Sequence, residues 1–176
     1  MTYKSITKTS NFIAFAKKID IFSYLCRKLI PQRRCLEGDY RKFYDWHTMI
    51  LDTLSILNFK NIGEEQLRLS RGINCFVGDN GAGKTNILDA VHYLSLARSM
   101  HTITDSQSVR HNEEGFIVDG LFRHDDDRIE QVVCAYARRG GKTLKRNGKE
   151  YDKLSDHVGH FPIVVVSPAD TSLISD

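Results

Sequence analysis

Eight consecutive residues near the middle of the chain have the types and the spacing of a phosphate-binding loop. They meet all four fixed positions of the pattern G-x-x-x-x-G-K-[ST], whose backbone N–H groups surround the phosphates of a nucleotide. The glycines allow positive φ values and leave no Cβ between the backbone and the anion. The sequence therefore predicts a nucleotide site at Gly78, Asp79, Asn80, Gly81, Ala82, Gly83, Lys84 and Thr85.

Two of these residues are expected to act through their side chains. Lys84 would reach the β- and γ-phosphates as a point charge, and the Thr85 hydroxyl would hold Mg²⁺, which makes Thr85 the candidate metal ligand. The predicted cofactors are therefore ATP and Mg²⁺. The alternative is a glycine-rich turn before an ordinary helix, which the four fixed positions and the flanking elements disfavour.

The segments on either side of the loop occur in the order that such a site requires. Residues 73–77 (INCFV) form a short apolar run typical of a buried strand. Residues 86–97 place apolar side chains at helical spacing and predict a helix. That helix would add its unpaired N-terminal donors and the positive end of its dipole to the phosphate site.

Further strands are predicted before and after this unit. Upstream, residues 51–59 read as one strand, and Leu67 and Leu69 mark a second, with Glu64 and Glu65 in the turn between them. Downstream, the predicted elements are a loop or short surface helix at residues 98–112, a strand pair at 115–123 and 129–138, and a strand buried on both faces at 161–166.

The downstream hairpins contain charged groups with two possible roles. Asp125, Asp126 and Asp127 fit a solvated hairpin tip better than a metal site. Asn147-Gly148 predicts a type I′ turn. His157 and His160 are interpreted as turn residues, since no third ligand stands at a metal spacing. A basic cluster on these hairpins either meets a DNA backbone or deters edge-to-edge aggregation: Arg138, Arg139, Lys142, Lys145, Arg146 and Lys149.

Composition places the chain among soluble globular proteins. Its 176 residues fit one domain with an appendage, and 41% are hydrophobic and 27% charged. No apolar run approaches the roughly 20 residues of a membrane-spanning helix, so no stable membrane insertion is expected. The four cysteines form no C-x-x-C pair, which argues against a zinc site or a disulfide framework and favours the cytoplasm.

Residues 1–48 differ from the rest in charge. They carry a net charge of +6, whereas the remainder carries −3. Apolar side chains between residues 11 and 30 recur at steps of three and four, which predicts a basic amphipathic helix that Pro31 ends. Such a helix could lie on an anionic membrane or bind nucleic acid. We favour the alternative that residues 1–48 are an extension outside the native domain, because the sequence from Met49 is coherent by itself.

From Met49 onward the sequence resembles the N-terminal portion of the RecF family of bacterial recombinational repair ATPases. The likeness is strongest in the loop and helix, GDNGAGKTNILDAV, and it does not include residues 1–48. One departure is Asp89, where the family commonly has Glu. The matching stretches are residues 54–61, 78–91, 94–99, 147–149 and 164–170.

The resemblance implies an α/β fold: a P-loop NTPase of the ABC/SMC-like head type, with a mixed β-sheet and β-hairpins. Residues 49–176 would be the N-terminal lobe of that head, truncated. Such heads form ATP-dependent homodimers in the family. They bind DNA at gaps between single- and double-stranded regions and, with RecO and RecR, assist RecA loading. DNA repair, DNA replication and the SOS response are the processes implied.

Two family elements do not occur after residue 85: an apolar strand ending in Asp-Asp or Asp-Glu, and a signature like Ser-Gly-Gly-Gln. Phosphoryl transfer needs several groups at once, so the chain is expected to hold ATP without turning it over well. Two alternatives stay open. One is the head of another SMC-like ATPase or an OLD-type nuclease, and the other is a binding module that uses the loop without hydrolysis.

Overall fold

The computed structural model describes residues 49–165 and, before them, only the backbone of Ala14–Phe15. Eight strands and one α-helix lie in this part of the chain, with two short 3₁₀ helices at Asp105–Ser108 and Leu154–Asp156. The elements are β1 (Ala14–Phe15), β2 (Met49–Phe59), β3 (Ile62–Arg68), β4 (Asn74–Cys75), α1 (Lys84–Leu96), β5 (Gly115–His124), β6 (Ile129–Ala137), β7 (Gly141–Arg146) and β8 (Lys149–Glu150).

Six strands form the main sheet in the order β3-β2-β5-β6-β7-β8, and every pairing is antiparallel. Successive side chains of a strand point to opposite faces, so alternating sequences bury one face only. In register across four strands, Ile56, Val118, Cys134 and Leu144 are all buried. This row marks the face of the sheet that carries the hydrophobic core, and the predicted strands at 51–59, 115–123 and 129–138 are confirmed.

Helix α1 covers the core face of the sheet. Its approach is close at Gly120, where a Cβ would lie 2.5 Å from Cδ1 of Leu94. Tyr93 and Leu94 of α1 are fully buried. The Tyr93 ring packs edge-on against Phe59 and Phe116, with ring centroids 5.7 and 5.2 Å apart. Edge-to-face aromatic pairs of this kind add to the stabilisation from burial alone. The predicted helix at residues 86–97 is confirmed and begins two residues earlier.

The turns follow local backbone chemistry, with one correction. Glu64 and Glu65 do not form the turn between the first two strands, because both lie in β3 and pair with Leu57 and Ile56. The turn is Lys60–Asn61, and the two glutamates lie on an edge strand, with Glu64 exposed opposite the exposed Leu57 and Glu65 half-buried opposite Ile56. The type I′ turn is confirmed, since Asn147 and Gly148 both have positive φ, 51° and 78°.

Two apolar segments predicted as buried strands are largely exposed in the described part of the chain. Ile73 and Val77 are 73% and 68% exposed, and only Asn74–Cys75 between them is a strand. Val164 and Val165 are 54% and 41% exposed, and residues 161–165 form no strand. A strand is buried on both faces only when layers cover both faces. Among residues 49–165 only the core on one side supplies such a layer, contacted by Phe76 and Ile163.

The predicted helix at residues 11–30 is contradicted at two positions. Ala14–Phe15 is extended and pairs with Asn74–Cys75 in a separate two-stranded sheet. The remainder of that predicted helix lies outside the described residues. The interpretation of residues 1–48 as an extension stays a prediction.

Candidate functional site

The phosphate-loop sequence lies between β4 and α1, where the chain leaves a strand and enters the helix. Gly81 and Gly83 both have positive φ, 82° and 99°, a region that side chains with a Cβ rarely adopt. Residues 78–81 are exposed to solvent, and Ala82 N–H donates to Asp79 O at 3.2 Å, closing a turn inside the loop. The predicted loop is therefore an open, tightly wound turn.

The N-terminus of α1 faces this loop with backbone donors that lack a partner in the helix. The first i→i−4 hydrogen bond of the helix runs from Ile87 N–H to Gly83 O at 3.0 Å, so the N–H groups of Lys84, Thr85 and Asn86 precede it. No acidic residue lies in the first turn, and the residue before the helix is glycine, with no capping side chain. Unpaired donors at the positive end of a helix dipole form an anion-binding site.

Lys84 points its ammonium group back across the loop. Nζ donates to Gly78 O and to Asp79 O, each at 2.7 Å. An ammonium has three donors, so these two bonds position the charge within the loop and leave one donor for an anion. The side chain predicted to reach the phosphates is thus already inside the loop, and this arrangement suits a phosphate ligand.

Thr85 is exposed at the first turn of α1, on the solvent side of the loop. Within residues 49–165, no three His, Cys, Asp or Glu side chains come together as a metal-binding group, and this range includes the triplet Asp125 to Asp127. Asp126 Oδ2 instead accepts from Arg128 Nε at 2.6 Å, as expected of a solvated hairpin tip.

Sequence reasoning missed Asn61, which lies in the turn between β2 and β3 and contacts the phosphate loop. Its Nδ2 donates to Gly81 O at 2.7 Å, and its Oδ1 accepts from Asn86 Nδ2 at 2.7 Å. A Cβ on Gly83 would lie 2.9 Å from that same Oδ1. The side chain fills the space that the motif glycine leaves. Because its partners are 20 and 25 residues away in sequence, no local pattern signals the contact.

Lys60, the neighbour of Asn61, forms a buried ion pair with Asp89 on the second turn of α1. The exposed side-chain fractions are 12% and 0%. Asp89 also accepts from Ser99 Oγ at 2.7 Å and from Met100 N–H at 2.6 Å. A buried carboxylate is tolerated when it is paired and hydrogen-bonded in this way. The pair anchors the β2–β3 turn to the helix that follows the loop.

The opposite end of α1 is fixed by core contacts. His157 is buried and stacks on Phe161, and its Nε2 donates to Leu94 O at 2.7 Å. Burial lowers the pKa of His157, since desolvation disfavours the charged imidazolium. Ser95 Oγ donates to Phe161 O. His157 is therefore a core residue as well as a turn residue, which its position in a polar stretch did not indicate.

Half of the predicted basic cluster is engaged within the protein. Arg146 pairs with Glu130 at 2.7 Å, and Lys142 pairs with Asp105 at 2.8 Å beneath the Tyr93 hydroxyl, which donates to the same carboxylate. The members with such partners or with a backbone contact are Arg138, Lys142 and Arg146. Arg139, Lys145 and Lys149 are exposed, as is Arg138.

Both described cysteines, Cys75 and Cys134, are free thiols. Burial raises the pKa of the Cys134 thiol to about 12, which keeps it protonated and unreactive at neutral pH. In the part of the chain that the structure describes, no helix combines the length and hydrophobicity needed to cross a membrane.

Comparison with known proteins identifies the family to which this chain is similar. Residues 53–159 match the family described as AAA domain. The protein named DNA replication and repair protein RecF in Phocaeicola vulgatus is 50% identical over 127 residues, which are 72% of this chain and 34% of that protein. The protein of the same name in Flavobacterium johnsoniae is 47% identical over 126 residues, with 72% and 35% covered. The chain spans about a third of the length of these curated relatives.

Solved structures agree with these sequence matches. The structure of the recombination mediator protein RecF-ATP superposes with a TM-score of 0.67 and 33% identity, over 74% of this chain and 36% of that one. A structure from work on ATP-driven dimerization of SMC ATPases superposes with a TM-score of 0.61 and 21% identity, over 72% of this chain and 91% of that one, and shows the shared fold alone. The predicted head-type fold is confirmed. The chain belongs to the AAA domain family and, over the matched residues, is similar to the N-terminal part of RecF proteins.

Proposed function

We propose that the chain binds ATP with Mg²⁺ at residues 78–85 and that it acts as the nucleotide-binding portion of a RecF-type DNA repair protein. The observation that carries this proposal is the exposed loop at an acid-free helix N-terminus, with the Lys84 ammonium held inside it. The similarity at 33% identity to a protein solved as RecF-ATP supports the choice of nucleotide.

In this proposal each part of the loop has a separate task. The backbone N–H groups of Gly81 and of Gly83 to Asn86 would bind the phosphate oxygens, and Lys84 would neutralise charge on the β- and γ-phosphates. Thr85, which is exposed beside them, would hold Mg²⁺ through its hydroxyl. Asp79, Asn80 and Ala82 would act through the backbone conformation of the loop and not through their side chains.

Isothermal titration calorimetry of the full 176-residue chain with MgATP tests the proposal. Lys84→Ala should abolish binding, because the loop would lose its only positive side chain, while the melting temperature should change little. The matched control is Lys153→Ala, which removes an exposed lysine far along the sequence from the loop and should bind ATP as the wild type does. Equal affinity of the Lys84 variant and the wild type would refute the assignment.

The wider function is proposed from the relatives. Curated proteins named for DNA replication and repair support a repair role in the cytoplasm, with DNA gaps as the substrate and RecA loading and the SOS response as the outcome. The RecFOR pathway in the name of a similar solved structure supports RecO and RecR as partners. A solved SMC ATPase structure that concerns ATP-driven dimerization is consistent with an ATP-dependent homodimer of the longer protein.

The exposed half of the basic cluster is the proposed DNA contact. Arg139, Lys145 and Lys149 are exposed, and cations that neutralise phosphates give DNA affinity a steep salt dependence. Fluorescence anisotropy with a gapped duplex, repeated at several salt concentrations, should show weaker binding for the double variant Lys145→Ala/Lys149→Ala, with a salt slope smaller by about 2. An unchanged slope would place the DNA contact elsewhere.

Residues 49–176 are proposed as the lobe of the head, with residues 1–48 as an extension. Deleting residues 1–48 should leave the melting temperature nearly unchanged. The deletion removes the backbone pairing of Ala14–Phe15 with Asn74–Cys75. An unchanged melting temperature would therefore show that this pairing contributes little to the stability of the lobe. A drop of many degrees would show that the extension stabilises the lobe.

A further inference from the structure

The β2–β3 turn contacts the phosphate loop through one exposed side chain. Asn61 has two hydrogen bonds of 2.7 Å, and both join it to the nucleotide-binding motif or its first helical turn. An exposed hydrogen bond adds little to folding stability, since water replaces it readily when it is lost. The contacts of Asn61 therefore need an explanation other than stability.

The amide orientation at Asn61 is fixed by its partners. Gly81 O can only accept, so the Nδ2 of Asn61 must face it, and Asn86 Nδ2 then donates to the remaining Oδ1. The Nδ2 donor of Asn61 therefore holds the Gly81 carbonyl of the phosphate loop toward Asn61. A carbonyl dipole that pointed into the loop would repel a phosphate, so holding it aside leaves N–H groups facing the anion.

Two neighbours hold Asn61 in place. Gly83 packs against it so closely that a Cβ would lie within 2.9 Å of Oδ1. Lys60, the preceding residue, is anchored by its ion pair to the fully buried Asp89. The turn is thus joined to α1 on one side and to the phosphate loop on the other, which places the Asn61 amide against Gly81 O.

From these contacts we infer that Asn61 is a positioning residue for the phosphate loop: it holds the Gly81 carbonyl away from the bound phosphates and sets the loop in its anion-binding shape. This inference rests on the proposed ATP binding. The residue acts through the backbone of the loop and touches no reacting atom. Its loss should weaken binding of any polyphosphate and leave the fold intact.

The test measures the dissociation constants of two ligands, MgATP and inorganic tripolyphosphate, by calorimetry on the full chain. Asn61→Ala should weaken both by about tenfold, the scale of one lost hydrogen-bonding group. Asn61→Asp should weaken both further, because a carboxylate cannot donate to Gly81 O and adds negative charge beside the phosphates. Asn86→Ala should give a smaller loss of about threefold, since the Gly81 contact remains.

The matched control is Glu113→Ala. It removes the 3.1 Å hydrogen bond from Asn58, three residues before Asn61 on the same chain segment, and does not touch the phosphate loop. It should bind both ligands as the wild type does. A melting temperature of Asn61→Ala near that of the wild type would separate positioning from a purely structural role.

The outcomes distinguish this inference from the proposed function. If the wild type binds ATP, Lys84→Ala does not, and Asn61→Ala binds both ligands as the wild type does, the positioning role is wrong and ATP binding stands. Loss of ATP affinity with unchanged tripolyphosphate affinity would mean that Asn61 contacts the nucleoside directly, which also overturns the inference. A wild type that binds neither ligand would overturn both proposals.

Discussion

The two ends of α1 carry different chemistry on one continuous helix. At the N-terminal end, Thr85 is exposed, no acidic side chain is present in the first turn, and backbone donors precede the first helical hydrogen bond. From Asp89 to Ser95 every residue is buried, and the contacts are aromatic packing, an ion pair and hydrogen bonds to distant segments. The buried half therefore fixes the direction of the N-terminal turn, whose backbone donors face the loop.

This comparison teaches that ligand affinity and folding stability should separate along the helix. Side chains at the buried end should determine the free energy of unfolding, because large apolar groups there are removed from water. Side chains at the loop end should determine nucleotide affinity and contribute less to stability, because Thr85 is exposed and Lys84 and Asn86 are only half-buried. Substitutions along α1 and its contacts can break or sharpen that separation.

The largest effect is expected at the buried end. Leu94→Ala should lower the free energy of unfolding by about 3 kcal/mol, because the side chain is fully buried and packs against the sheet at Gly120. Chemical denaturation of the variant gives this value. Leu88→Ala, the same change at a half-buried position near the loop, should cost clearly less. Equal losses in the two variants would contradict the separation.

Substitution of Gly83 should change both the free energy of unfolding and the affinity for ATP. Gly83→Ala should lower the free energy of unfolding by about 2 kcal/mol, since φ is 99° and the new Cβ would meet the Asn61 amide. It should also weaken ATP binding. In Gly81→Ala the backbone strain is similar but nothing lies within 4 Å of the Cβ, so denaturation should show a smaller loss. A Gly83 variant as stable as the wild type would rule out the tight packing.

A pH effect is expected from His157 at the buried end. Its pKa is lowered by burial, so below about pH 6.5 the unfolded chain binds a proton that the folded protein does not. The free energy of unfolding should fall as the pH drops from 6.5 toward the lowered folded pKa. Denaturation at pH 7 and pH 5 measures this loss.

His157→Gln should remove that share of the pH dependence, because the amide still donates to Leu94 O but does not titrate in this range. Identical pH profiles of wild type and His157→Gln would show that this imidazole does not contribute.

The smallest effect on folding is expected at the loop end. Thr85→Ala should change the free energy of unfolding by less than about 0.5 kcal/mol, because the side chain is exposed. It should remove the Mg²⁺-dependent part of ATP affinity, which Thr85→Ser should keep through its hydroxyl. Calorimetry with and without Mg²⁺ measures the difference. An alanine variant with the full Mg²⁺ dependence would exclude Thr85 as a ligand.

The predictions made from sequence succeeded for features that local residues determine and failed for features that tertiary packing determines. The glycine-rich turn and helix α1 depend on local spacing, glycine conformation and amphipathic period, so both were predicted, with the helix beginning two residues before its predicted start. The Asn147-Gly148 turn depends on two adjacent residues and was also confirmed. Burial of the whole apolar runs predicted at 73–77 and 161–166 was wrong, since Ile73, Val77, Val164 and Val165 are exposed although Phe161 is buried. Burial depends on which layers cover a segment and not on its own composition.

The sequence by itself determined where the glycine-rich turn and the start of α1 lie, because the residues that form them are consecutive and their conformations are intrinsic to glycine and to a helix start. Only the tertiary structure showed that Asn61 completes that loop, that Lys60 and Asp89 hold the turn beside it, and that His157 belongs to the core. These contacts join residues 20 to 63 positions apart, and such pairings follow from how the sheet and the helix pack.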